Sequence, residues 1–177
     1  MNNSTSGVSQ YEQDLDKVTA NHTQLSPLSF IQRAASVYPD ALAVVHGDRQ
    51  FTWTQTFTRC RQLASALNQR GIGLNDTVAV LATNIPAFYE ALFGVAACDA
   101  VINPINIRLD ADAIAFILDH GEAKVLITDT EFAPVVKAAL AKCTVKPLII
   151  DIADDAALCH DRLGEIEYEE LIATGDP

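Results

Sequence analysis

Between residues 77 and 129, three short runs rich in β-branched and aliphatic residues, at 77–82, 100–103 and 124–129, are separated by two segments whose apolar residues recur at helical spacing. Short buried runs alternating with helices are the pattern of βαβ units on a parallel sheet. The runs are too apolar to leave either face in water, so helices must cover both. The reading is therefore an α/β fold: βαβ units on a mainly parallel sheet with helices on both faces, preceded by an N-terminal helix and a β-hairpin.

Taken in order, residues 1–24 are polar and predict a flexible tail, and residues 25–177 form the domain. Ser26-Pro27 reads as an N-cap followed by a proline at the first helical position. The helix after it shows Leu28, Ile31, Ala35 and Tyr38 on one face. A hairpin turns at Gly47-Asp48, where glycine in the first central position suits a type II′ turn. Thr54 is the expected cap of the next helix, with Phe57, Cys60, Leu63, Ala64 and Leu67 facing inward. Gly71 supplies its left-handed C-terminal residue. A helix over residues 86–97, capped at Asn84 or Ile85, is read with Tyr89, Leu92, Phe93 and Ala96 inward. Asp110 caps the next helix, which ends at Gly121. A helix over 131–142, a strand over 147–152 and a short helix over 168–174 complete the expectation.

Chemistry is harder to find. Gly71-Ile72-Gly73 is half of a dinucleotide fingerprint, but Asp76 stands at the third glycine position and the turn leaves a helix rather than entering one. Asp110-Ala111-Asp112 has the oxygen spacing of a metal loop, yet Ala113, Ile114 and Ala115 follow, so capping is the stronger reading. Asp151, Asp154, Asp155 and Asp161 read as a solvated acidic face. His46, at the hairpin end, reads as a histidine bonded to backbone or water rather than a base. The backbone N–H groups after Asn84 are an anion site generic to any βα junction. The 8 glycines are scattered, so no loop can wrap a phosphate with consecutive N–H groups. No catalytic or metal-binding residue is assigned.

Composition sets the outer bounds. A chain of 177 residues that is 49% hydrophobic has ample material for one core. Acidic residues outnumber basic ones 23 to 12 for a net charge of −11, which argues against nucleic acid, whose binding needs clustered Lys and Arg. Cys60, Cys98, Cys143 and Cys159 lack C-x-x-C spacing, and buried free thiols fit a reducing, cytoplasmic setting. Neither a signal-peptide core nor a run long enough to span a membrane is present.

Read together, SPLSFIQRAASVYPDALAVVHGDRQFTWTQTFTRCRQLASAL, RGIGLNDTVAVLATNIPAFYEALFGVAACDAVINPINIRLDADAIAFILDHGEAKVLITD and EYEELIATGDP resemble the N-terminal part of an ATP-dependent acyl-CoA synthetase. That family belongs to the AMP-binding, adenylate-forming superfamily, and the resemblance is to its short- and medium-chain acyl and methylmercaptopropionate-type ligases. It implies a fragment of a longer enzyme that uses ATP, Mg²⁺ and CoA to activate a carboxylic acid. The family's phosphate loop and catalytic lysine have no counterpart here, so none of these cofactors is expected to bind this stretch tightly. Its partners would be the acid, ATP, CoA and the remainder of its own chain. Where the family usually has glycine this sequence has Asp99, read as a turn residue. The rival reading is a non-catalytic α/β binding or regulatory module.

Overall fold

A computed structural model describes residues 16–23, 25–154 and 161–177. The first helix, α1 (Pro27–Val37), starts as its sequence dictates: Ser26 Oγ accepts from the Leu28 N–H and Pro27 takes the first position. Of the expected apolar face only Ile31 is buried, and Tyr38 is exposed. Strands β1 (Leu42–His46) and β2 (Arg49–Thr52) pair antiparallel with His46 opposite Arg49. Gly47 has φ of 56°, as a type II′ turn requires at its first central residue.

Helix α2 (Trp53–Asn68) begins two residues before the position expected. Thr52, not Thr54, is the cap: Thr52 Oγ1 accepts from the Gln55 N–H, and Gln55 Oε1 accepts from the Thr52 N–H. The reciprocal box satisfies two helix-end donors at once, which a cap at Thr54 would forgo. The helix closes as predicted, with Gly71 at φ 77°. The Ile72 N–H reaches the Leu67 carbonyl and the Gly71 N–H the Asn68 carbonyl, the paired bonds of a Schellman ending.

Strands β3 (Thr77–Leu81), β4 (Val101–Pro104), β5 (Ala123–Asp129), β6 (Leu148–Ile152) and β7 (Ile166–Glu167) form one parallel sheet in the order β4-β3-β5-β6-β7. The two-residue β7 is too short to show a period in the sequence. Helices α3 (Pro86–Ala97), α4 (Ala111–His120), α5 (Ala133–Leu140) and α6 (Tyr168–Ala173) complete the fold. Instead of one helix over 131–142, a 3-10 turn at Thr130–Phe132 precedes α5, because Pro134 lacks the N–H that a continuous helix would use.

The side-chain period of two in the strands divides the core into two layers. Val78, Val80, Val125, Ile127 and Ile150 pack with α2, α3 and α6. Ala79, Leu81 and Leu126 pack with α4 and α5 on the opposite face. Helices therefore cover both faces of the sheet, as its apolar strands require.

The inward face of α3 differs from expectation. Ala87, Glu90, Ala91, Gly94 and Val95 are buried, whereas Leu92 is 39% exposed and Tyr89, Phe93 and Ala96 are only partly covered. Small residues win that face because α2 approaches closely: a Cβ on Gly94 would stand 2.7 Å from Leu63 Cδ2 and 3.0 Å from the Cys60 carbonyl oxygen. Counting apolar side chains selects the bulky stripe; close helix packing selects the small one.

At α4 the cap is the one expected. Asp110 Oδ1 accepts from the Ala113 N–H at 2.9 Å. Asp110→Ala is expected to lower stability by about 1 kcal/mol, read as a urea midpoint shifted at unchanged slope; an unmoved midpoint would contradict the cap. Gly121 ends the helix without a left-handed turn, and Glu122 takes the positive φ of 48° instead.

Candidate functional site at the carboxyl edge of the sheet

From β3 the chain moves one way to β4, then returns past β3 to β5. This reversal opens a crevice at the carboxyl ends of β3 and β5, where open α/β sheets place ligands. Thr83 and Asn84 follow β3, Asp129 and Thr130 lie at the end of β5, and Asp154 follows β6. Beside Asn84, a cleft of about 400 Å³ runs between β1 and the start of α3, lined by Val44, Val45, His46, Pro86, Tyr89 and Leu92 among others.

Carboxylates gather at this edge. Asp129 is 1% exposed and accepts from the Glu131 N–H at 3.0 Å. Burial pushes its carboxyl pKa up; the charges of Asp154 and Glu131 add to this, against the pull of the Glu131 N–H. Neighbouring Thr130 is buried, with its hydroxyl unpartnered among the described residues. A carboxyl whose pKa is raised on folding favours the native state most when protonated, so its contribution falls as pH rises through the raised value. Asp129→Asn is therefore expected to stabilise the protein at pH 7, with the gain shrinking as pH falls toward the ordinary carboxylate range. Urea midpoints across that range check it; a loss at pH 7, or a gain independent of pH, would contradict it.

The positions weighed in the sequence fall as follows. His46 Nε2 lies 3.0 Å from Asp154 Oδ2, so its partner is a carboxylate rather than backbone or water. The acidic positions are not one solvated face. Asp151 is 1% exposed on β6 and accepts from the Leu163 N–H at 3.0 Å and the Gly164 N–H at 2.8 Å. Asp155 lies outside the described residues, and Asp161 is exposed. Asp112 pairs with Lys142 at 2.6 Å. The Gly71–Gly73 turn leads from α2 toward β3, with the Gly73 N–H on Asp76. Asp99 has φ of 62°, the turn conformation expected of it. Cys60, Cys98 and Cys143 are buried free thiols, and burial, with the Glu90 charge, pushes Cys60 up to about 12. Cys159 lies outside the described residues.

Sequence reasoning missed a polar cluster that ties β2, α2, α3 and α6 together. Arg59 of α2 holds Glu90 of α3 through Nε at 2.5 Å and Nη2 at 3.1 Å. It also holds Glu169 of α6 through Nη1 at 2.9 Å and Nη2 at 2.8 Å. The buried Tyr168 hydroxyl donates to Glu90 Oε2 at 2.8 Å, and Arg49 of β2 reaches Glu169 at 2.8 Å. Burial pushes Glu90 up, only partly offset by Arg59 and Tyr168. Burial opposes the Arg59 charge, but hydrogen bonds and charges from Glu169 and Glu90 outweigh it and raise its pKa. The available signal was one acid amid the apolar and small residues of PAFYEALFGVAA. A charge on such a helix needs a partner, and Arg59 is the cation facing it.

These side chains are already committed to one another, and the crevice carries carboxylates. Among the described residues, Arg49 and Arg59 are thus held by carboxylates, and the start of α3 at this edge carries no side-chain cap on its N–H groups. The sequence profile described as AMP-binding enzyme matches residues 31–173. An acetate/butyrate–CoA ligase named AAE7, peroxisomal, from Arabidopsis thaliana is 47% identical over 93% of this chain and 31% of its own length. An acetate–CoA ligase named CCL3 from Humulus lupulus is 46% identical over 93% of this chain and 31% of its own length. The chain thus spans under a third of these relatives. A structure of the anthranilate CoA ligase AuaEII with anthranoyl-AMP superimposes with a TM-score of 0.76 at 21% identity, over 84% of this chain and 28% of that one.

Proposed function

Because the chain belongs to the AMP-binding enzyme family, we propose that it forms the N-terminal α/β subdomain of an ATP-dependent acyl-CoA ligase, inactive when isolated. In that reaction a carboxylate oxygen attacks the α-phosphorus of ATP and pyrophosphate leaves. The thiolate of CoA then attacks the acyl carbon and AMP leaves, giving a thioester. The carrying observation is 47% identity over 93% of the chain to an acetate/butyrate–CoA ligase.

The residues present here do not fit ATP or CoA by themselves. Arg49 and Arg59 are engaged by Glu169 and Glu90, and Asp129 and Asp154 would repel phosphate. No chemical step is assigned to them; their role is to build and orient one wall of the active-site domain. We place the domain start near Leu25; residues 1–15 and 24 of the expected tail lie outside the described residues. The proposed substrates are small aliphatic acids, which puts the enzyme in fatty-acid metabolism. The proposed location is cytoplasmic, supported by the buried free thiols; the peroxisomal names of some relatives favour the alternative compartment.

The experiment is ATP–pyrophosphate exchange by the chain joined to its downstream sequence, with acetate, butyrate, benzoate and cinnamate at equal concentration. Exchange led by acetate or butyrate is the expected result. Preference for the aromatic acids would overturn the substrate class, and no exchange with any acid would overturn the ligase reading.

A further inference from the structure

One side of α2 grips the whole segment from Tyr168 to Asp176. Arg59, Gln62 and Ser65 lie three residues apart along it. Arg59 binds Glu169 directly and, through Glu90, meets the Tyr168 hydroxyl. Gly175 lies so close to the Gln62 backbone carbonyl that a Cβ there would overlap it. Ser65 Oγ accepts from the Asp176 N–H at 3.0 Å and donates to Asp176 Oδ2 at 3.2 Å. Arg70, in the turn just past the end of α2, donates to Thr174 Oγ1 at 3.4 Å.

Helix α6 has 6 residues, too few to hold a direction alone. Its buried Tyr168, Leu171 and Ile172 anchor it in the core, but apolar contacts are non-directional. The hydrogen bonds and the glycine contact fix its angle and the line of the chain after it. Maintaining Glu90 and Arg59 in a largely buried setting carries a desolvation cost that a purely apolar contact would avoid. A segment that must be aimed accurately gives a physical reason to bear that cost at this place.

We infer that α2 is a guide: Arg59, Ser65, Tyr168 and Gly175 are positioning residues that fix the direction of residues 168–176, and so align the catalytic part of the ligase with this sheet. The inference rests on the ligase reading above. Arg59, Ser65 and Tyr168 direct their polar groups to partners within the chain. They act through the placement of residues 168–176, and misplacing reacting groups by an ångström can cost on the order of a hundredfold in rate.

The test uses the complete ligase, with its downstream sequence, in ATP–pyrophosphate exchange. Gly175→Ala forces residues 174–176 off α2. Ser65→Ala removes its hydroxyl anchor more gently, and Ser65→Thr restores it. Ile114→Val, buried on the far side of the sheet, controls for simple loss of stability. The expected result is a kcat lowered roughly tenfold or more by Gly175→Ala, with KM for ATP unchanged within about twofold. A smaller fall in Ser65→Ala is expected, rescued by Ser65→Thr, with kcat unchanged in Ile114→Val. If Gly175→Ala does not fold, the Ser65 pair decides. An active wild type whose Ser65→Ala or folded Gly175→Ala variant keeps its kcat overturns the guide alone. An inactive wild type overturns the ligase reading, and the guide falls with it.

Discussion

Glu90→Ala is expected to destabilise the protein by about 3–5 kcal/mol, the range for breaking a buried ion pair by removing one partner. The side chain is 2% exposed, and its carboxylate serves both Arg59 and the Tyr168 hydroxyl. Without it, a buried phenol loses its acceptor and a guanidinium keeps only Glu169. That remaining partner places the expected loss toward the lower end. Glu90→Gln, which still offers an acceptor to Tyr168, should lose less. The measurement is the unfolding free energy from urea titration. A loss below about 1 kcal/mol for Glu90→Ala, typical of an exposed pair, would show that the cluster is not buried as described.

The second large effect is Gly94→Val. Glycine within a helix is ordinarily unfavourable by about 1 kcal/mol relative to alanine, so a larger residue should help if space allowed. Here Leu63 Cδ2 would stand 2.7 Å from any Cβ and the Cys60 carbonyl 3.0 Å. A leucine tip can swing away, but a helix carbonyl cannot. Gly94→Val is expected to cost about 2–3 kcal/mol by overpacking. Gly94→Ala should lose less, because its propensity gain offsets part of the clash. Wild-type stability for the valine variant would mean that α2 and α3 can separate without loss, contrary to the packing described.

How far such features could be read in advance varied with their physical range. Ser26, Gly71 and Asp110 act on backbone within a few residues of themselves, and all three fall where the sequence places them. The strands of the parallel sheet were legible because burial on both faces leaves an unbroken apolar run. The face of α3 was not. Whether Tyr89 or Gly94 points inward depends on how near α2 comes, and distance between helices has no signature within either one. The Arg59–Glu90 pair is 31 positions apart and joins residues each unremarkable alone. At the carboxyl edge, the misreading of Asp151 has the same origin: its partners are backbone N–H groups of Leu163 and Gly164, invisible in a side-chain pattern. The chemistry was illegible for another reason: Asp129 and Asp154, which stand at this edge, belong to no spacing in the sequence that marks a site.

The central proposal is that these 177 residues are a structural part of an acyl-CoA ligase and not a catalyst in their own right. ATP–pyrophosphate exchange tests it most directly, measured with acetate and butyrate on the purified chain and on the same chain carrying its downstream sequence. The account predicts buffer-level exchange from the first and clear exchange from the second. Exchange by the 177-residue chain alone would contradict it.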